Sequence, residues 1–287
     1  MKFTLKKVTA IVSVLALVTL VLTGCGNKNK SSAANKITIT AVTDGNVAPF
    51  AIKEKSGSLS GYDVDVLKAV VKHLPQYKLE WKLADYEALL GNIDSGRADV
   101  GVNHFGKTSE RQEKYLFSKP IFEDKPVFIV KKNNNVIKSF ATAAGKSTPA
   151  QVGTAFSLDL EKYNKKHPNK KIKISYVKDY HDLQDVSSGK YDFAYTDLSM
   201  YNAEQKAYHI NNVKAVRLNT SDNADGRNLG SPYSYFLFGK TPQDKKFQEA
   251  VDKELVKLAK NGTLTKISQK YLGQDYSPKV LKGEEVE

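Results

Sequence analysis

Beyond residue 36 the chain alternates short β-branched runs with segments whose apolar residues recur at helical spacing. Ile37, Ile39 and Ala41 alternate with Thr38 and Thr40, the period of a half-buried strand. A Ser/Gly turn over residues 57–61 precedes Val64, Leu67, Val71 and Leu74, which repeat at helical spacing, and Pro75 ends that helix. Leu79 to Leu83 reads as a second strand. Tyr86, Leu89, Leu90 and Ile93 then form one face of a second helix, closed by Asp94-Ser95-Gly96. Ala98 to Val102 predicts a third strand, and a new helix starts at Ser109, whose spacing to Gln112 is that of a capping box.

Two extended segments, Pro126 to Val130 and Tyr233 to Phe238, bracket a middle section with its own strand and helix pattern. Strands are expected near Ala150 to Gly153, Ile172 to Val177 and Phe193 to Tyr195, with a helix around Leu158 to Tyr163. The chain is therefore expected to leave one lobe and later return to it. Phe247, Val251, Leu255 and Leu258 share one face of a long C-terminal helix, capped at Asn261-Gly262, and a shorter helix runs to Tyr271. Strands alternating with helices imply an α/β fold on largely parallel sheets.

The first residues follow another pattern. Lys2, Lys6 and Lys7 precede an uncharged apolar run from Val8 to Leu22, which ends at Leu22-Thr23-Gly24-Cys25. At about fifteen residues the run falls short of the roughly 20 needed to span a bilayer, and a charged start with a small-residue processing site reads as a signal segment over 1–24. Cys25, the single cysteine, stands where lipobox-type signals place the residue that receives lipid. Two acyl chains at about 0.8 kcal/mol per buried methylene would make a stable tether. Residues 25–36 are then the lipidated cysteine and a flexible polar spacer, and the protein is expected outside the cytoplasm, on the outer face of the cell membrane.

Composition narrows the function classes. Removing the three signal lysines from the formal charge of +13 leaves +10. These charges are scattered, and the cluster Lys162, Lys165, Lys166, Lys170 and Lys171 around His167-Pro168, expected in a loop, lacks interleaved aromatics, so nucleic acid is not an expected partner. The five histidines have no metal-ligand spacing, and no nucleophile elbow, phosphate loop or dinucleotide fingerprint occurs, so no cofactor or metal is expected. With no second cysteine, the fold must hold by its core alone.

A small zwitterion needs a guanidinium and free N–H groups for its carboxylate, and an anionic side chain for its ammonium. Asn103-His104-Phe105-Gly106-Lys107-Thr108-Ser109-Glu110-Arg111 places an arginine one turn into a capped helix, where N–H donors and a bidentate fork coincide. Periodicity alone reads Arg111 as a solvated helix residue, and Asp197, an isolated aspartate after a strand, as a helix cap.

Gly61-Tyr62-Asp63-Val64-Asp65, Leu90 through Gly96-Arg97-Ala98-Asp99, Thr108-Ser109-Glu110-Arg111 with Phe117-Ser118-Lys119-Pro120, and Gly262-Thr263 through Lys270-Tyr271-Leu272-Gly273 run in order along the domain. Together they resemble the polar amino-acid branch of the bacterial solute-binding proteins. The resemblance implies a two-lobed type 2 periplasmic-binding-protein clamshell with a two-segment hinge: first lobe 37–126, second lobe 127–228, and a return of the first lobe over 229–287. It also implies that Arg111 and the Gly106 backbone hold a ligand carboxylate, with Thr154 and Ala155 of Gly153-Thr154-Ala155 adding donors and Asp197 taking the ammonium. Phe50, Tyr86 and Phe105 would be aromatic walls, though Phe50 after Pro49 reads equally as core, and Val47, where many relatives carry an aromatic, would leave the pocket wider or differently lined. Asp44, Asn103 and His104 complete the expected contacts, and Asn103-His104 resembles the cystine-binding subgroup.

These readings imply a monomeric substrate-binding component of an ABC importer, not an enzyme, that closes on an amino acid and passes it to permease transmembrane subunits. Cystine or a related sulfur amino acid is the first expectation. Gln, Glu, His or Arg on the same fold is the alternative. An enzyme using His104 with Asp197 or Glu123, or a ligand-sensing module, is a more distant one.

Overall fold

The computed structural model describes residues 36–218 and 233–284. The expected signal segment, Cys25 and the spacer up to residue 35 lie outside the described residues.

The chain opens with β1 (Ile37–Thr43), then a small hairpin of β2 (Asn46–Val47), β3 (Ala51–Lys53) and β4 (Leu59–Ser60), which leads into α1 (Tyr62–Lys72). There follow β5 (Tyr77–Leu83), α2 (Tyr86–Asp94), β6 (Val100–Phe105), α3 (Ser109–Lys114), β7 (Leu116–Phe117) and β8 (Phe122–Glu123). The middle section holds β9 (Pro126–Lys131), β10 (Ser147–Ala150), α4 (Ala155–Lys166), β11 (Lys173–Tyr176), α5 (Asp182–Ser188), β12 (Phe193–Asp197), α6 (Leu198–Tyr208) and β13 (Val213–Arg217). The last part comprises β14 (Tyr233–Phe238), α7 (Pro242–Lys260), α8 (Thr263–Leu272) and α9 (Lys279–Lys282).

The first lobe is built on a sheet ordered β5-β1-β6-β14-β7, with β8 also paired to β14. β1 runs parallel to β5 and β6, while β14 is antiparallel to β6, β7 and β8, because it re-enters from the far side of the second lobe. The helical spacing of Val64, Leu67, Phe247, Val251, Leu255 and Leu258 turns these residues toward the sheet, where all are buried with Val100, Val102, Phe236 and Phe238. Leu89 and Ile93 of α2 pack with Val42, Phe105 and Leu237. Covered on both faces, β6 is almost wholly buried, apolar up to Val102 and then polar at Asn103 and His104.

The second lobe centres on β12-β9-β13. Phe128 and Val130 of β9 pack with Phe140, Leu160 and Phe193, while Ile129 packs with Leu183, Val186 and Ala194. This sheet is antiparallel, against the expectation of largely parallel sheets; β10 and β11 do pair in parallel. Alternation of strand and helix fixes element types but not strand direction, and β9 arrives from the first lobe rather than from a local crossover.

Several local expectations shift. The cap of α3 is Thr108, whose hydroxyl accepts from the Arg111 N–H at 3.1 Å, not Ser109. The strand expected near Ala150 to Gly153 ends at Ala150, and Lys162, Lys165 and Lys166 belong to the end of α4 rather than to a loop. Lysines there complement the helix dipole. Among the described residues no group of three His, Cys, Asp or Glu could hold a metal ion, and no helix is long and apolar enough to cross a membrane.

Candidate functional site

A cavity of about 570 Å³ lies between the two lobes. Its walls come from the ends of β1 and β6, the starts of α2, α4 and α5, and the junction of β12 with α6. Of the expected site residues, Asp44, Tyr86, Asn103, His104, Gly106, Arg111, Thr154, Ala155 and Asp197 all line it.

Arg111 is held from three sides. Its Nη1 donates to the Gly106 carbonyl oxygen at 2.9 Å, and its Nη2 to the Tyr86 hydroxyl at 3.0 Å and the Gly153 carbonyl oxygen at 2.9 Å. The Phe105 ring lies beneath the guanidinium, 5.0 Å from ring centroid to Cζ. The residue is buried, so its charge faces the cavity rather than bulk water. Thr154 caps α4 by accepting from the Ser157 N–H, and the first N–H groups of that helix, at Ala155 and Phe156 on the cavity wall, have no intrahelical carbonyl to bond.

Asp197 occupies the N-cap position of α6 but makes no side-chain cap there. Asp124, just after β8, does that work: its Oδ2 accepts the Ser199 N–H at 2.6 Å. The carboxylate of Asp197 is thus released from capping and meets His104 Nε2 at 2.8 Å across the cleft. Burial, then the nearby charge of Asp197, pushes the Asp124 carboxyl up to about 6.

Asn103 ties down the end of β1. Its Oδ1 accepts from the Thr43 hydroxyl at 2.8 Å, and its Nδ2 donates to Asp44 Oδ2 at 3.2 Å. Burial raises the Asp44 carboxyl above its ordinary value, against the lowering effect of hydrogen bonds from Asn46 and Asn103. At the cleft edge Asn46 Nδ2 donates to Asp179 Oδ1 at 3.1 Å, so the lobes touch there as well.

The expected wall at Phe105 is corrected, and Phe50 takes its alternative reading as core. Phe50 and Phe105 do not line the cavity; both are buried behind it. Phe50 stacks on the His104 ring at 3.6 Å and 16°, and Phe105 underlies Arg111. Each is adjacent to a polar residue that faces the cavity, and the larger apolar ring takes the inner position because its burial is the more favourable. Glu123, the other partner considered for His104, accepts from the Lys279 N–H and is not in the cavity wall. Val47 does line the cavity.

Sequence reading missed Gln151, Asp179, Tyr180, Gln184, Glu204 and Tyr208, which line the second-lobe side. Most sit on or beside α5 and α6, short helices without a clear apolar repeat. The charged lining comprises Asp44, Asp179, Asp197 and Glu204 against Arg111 and Lys178, with His104 and His181. Such a surface can clamp a zwitterion by both ends.

The family model described as bacterial extracellular solute-binding proteins, family 3, matches residues 39–274. The chain is 35% identical to the probable amino-acid-binding protein YxeM of Bacillus subtilis, over 92% of this chain and 95% of that protein. It is 33% identical to the L-cystine-binding protein TcyA of the same organism, over 95% and 99%. A solved structure from Streptococcus mutans, described with glutathione import via GshT and the cystine ABC importer TcyBC, superposes with a TM-score of 0.76 at 35% identity, over 85% of this chain and 98% of that one.

Proposed function

The chain belongs to the bacterial extracellular solute-binding proteins, family 3, and on that premise we propose that it is the substrate-binding component of an ABC importer for a polar amino acid, with L-cystine as its foremost ligand. One observation carries the reading: Arg111 of the first lobe and Asp197 of the second both line one interlobe cavity. The ligand carboxylate pairs with Arg111 and with backbone N–H groups at Gly106 and the start of α4, and the ammonium goes to Asp197. Closure removes both charges from water, which strengthens each pairing.

Cystine, with two ammonium and two carboxylate groups, finds partners of both signs in the lining, where Asp44, Asp179, Asp197 and Glu204 stand with Arg111, Lys178, His104 and His181. The cavity volume falls in the range of sites that enclose ligands larger than a single small amino acid. Two relatives named for L-cystine binding match this chain over nearly their whole length. Glutathione is a second reading, supported by the description of the Streptococcus mutans structure. The protein acts as a monomer, held at the outer face of the membrane by lipid on Cys25, and delivers its ligand to permease transmembrane subunits. Support for the anchor is the Leu22-Thr23-Gly24-Cys25 sequence after an apolar run.

A thermal-shift screen of the purified chain against the twenty amino acids, cystine and glutathione tests the ligand. At 100-fold excess over Kd a ligand adds about 2.7 kcal/mol to stability, so cystine is expected to give the largest rise. If no α-amino compound raises the melting temperature, the proposal fails. For the anchor, Cys25→Ala is expected to release the protein from the membrane fraction.

A further inference from the structure

His104 is one of two non-glycine residues with positive φ among the described residues, at 50°. L residues avoid that region, and outliers persist only where the surroundings over-determine them. Here the backbone N–H of His104 donates to Asp63 Oδ2 at 2.7 Å, and Phe50 stacks on the ring at 3.6 Å. Phe122 meets it edge-on at 5.1 Å, and Nε2 lies 2.8 Å from Asp197 Oδ2. The ring Nδ1 has no partner. The imidazole therefore lines the cavity with one nitrogen committed to the carboxylate that would receive a ligand's positive end.

We propose that His104 couples ligand capture to proton release: its imidazolium and the ammonium of an amino-acid ligand both pair with the Asp197 carboxylate, so that capture of an ammonium drives a proton from His104. The proposal rests on the reading of the cavity as an amino-acid site.

The groups facing His104 are Asp63 from α1, Asp124 from the junction after β8, and Asp197 from the end of β12; Phe50 and Phe122 are uncharged. Burial pulls the imidazolium down, but the hydrogen bond and charge of Asp197, with the charges of Asp63 and Asp124, outweigh it, and its pKa stands above the ordinary value. An ammonium beside Asp197 offsets that carboxylate and adds a like charge next to the ring, which favours the neutral imidazole. Neutral His104 can still donate from Nε2 while the ammonium uses the remaining acceptor capacity of the carboxylate. The proton goes to solvent. Because the complex then holds fewer protons than the free protein, affinity rises with pH, by up to about tenfold per unit for one proton.

The test is calorimetry of the purified chain with L-cystine, and with L-glutamine and L-arginine as further ammonium-bearing probes, between about pH 5.5 and about pH 8.5. Two buffers of different ionisation heat count the protons released. The expected result for the native protein is affinity that rises with pH together with release of up to one proton. His104→Gln keeps an amide N–H for Asp197 without a titrating ring, and should bind with little pH dependence and no proton release. Binding by the native protein with no proton release and flat affinity overturns the proposal while leaving amino-acid capture standing. A pH dependence unchanged in His104→Gln overturns it too, and assigns the effect to Asp63 or Asp124. If His104→Gln does not fold, His104→Asn, which also offers an amide N–H without a titrating ring, takes its place, and a native protein that releases no proton still overturns the proposal. No binding of any probe at any pH overturns the reading of the site, and this proposal with it.

Discussion

The guanidinium of Arg111 donates from Nη2 to the carbonyl oxygen of Gly153, 2.9 Å away on the opposite lobe. One side chain thus serves two ends: it faces the cavity and it bridges the cleft. Its other donors hold Gly106 and Tyr86 on its own lobe, so the fork is fixed in direction before any ligand carboxylate meets it.

Arg111→Ala is expected to weaken amino-acid binding by roughly 2 to 5 kcal/mol, because it leaves the buried carboxylate of the ligand without a counter-charge. Calorimetry measures this directly. Affinity within a factor of two of the native protein would remove Arg111 from the site.

Asp197→Ala should weaken binding by a similar amount, roughly 2 to 5 kcal/mol, since it leaves the ligand ammonium without a counter-charge. Any fall in melting temperature should come from the lost partner of His104 and not from α6, which is capped by Asp124 and not by Asp197. A large drop in melting temperature with intact affinity would reverse the assignment.

Gly106→Ala tests closure. A Cβ at Gly106 would lie 2.9 Å from the Ala155 Cβ, a backbone-borne atom of the other lobe that cannot swing away. Keeping the lobes apart is expected to cost about 1–3 kcal/mol in ligand affinity, with the fold of each lobe untouched. Ala155→Gly in the same chain should restore binding, and failure of that rescue would mean the two positions do not meet on closure.

Stability should rise as the medium becomes mildly acidic. Burial pushes the Asp63 carboxyl up to about 6 from 3.8, partly offset by His104, and one of its oxygens has no hydrogen-bond partner. Between those values the folded protein holds a proton that the unfolded chain has lost. The contribution is complete below 3.8 and disappears as pH rises through about 6. A shift of this size corresponds to about 3 kcal/mol. Asp63→Asn should flatten the melting curve's dependence on pH in this window, and an unchanged profile would assign it to another group, such as Asp182, which burial also raises well above its ordinary value.

The sequence by itself determined the longer elements and the inward faces of the main helices. Val64, Leu67, Phe247, Val251, Leu255 and Leu258 recur at helical spacing, and each is buried, because periodicity reports which side of one segment avoids water. The ordered motifs also marked Arg111, Gly106 and Asp197, which the fold brings to one cavity. Only the tertiary structure decided what those residues are free to do. Asp197 follows a strand and begins a helix, so locally it reads as a cap; Asp124, 75 positions from the Ser199 N–H it accepts, takes over that task. Phe50 and Phe105 read as walls by position, yet each lies beneath a polar residue supplied by another segment or turn. His104 and Asp197, 93 positions apart, could be named together from the sequence, but so could His104 and Glu123, and only the two lobes facing each other decided which pair meets. Hydrophobic burial is written one segment at a time, whereas a hydrogen bond across a cleft depends on distances that the whole fold sets.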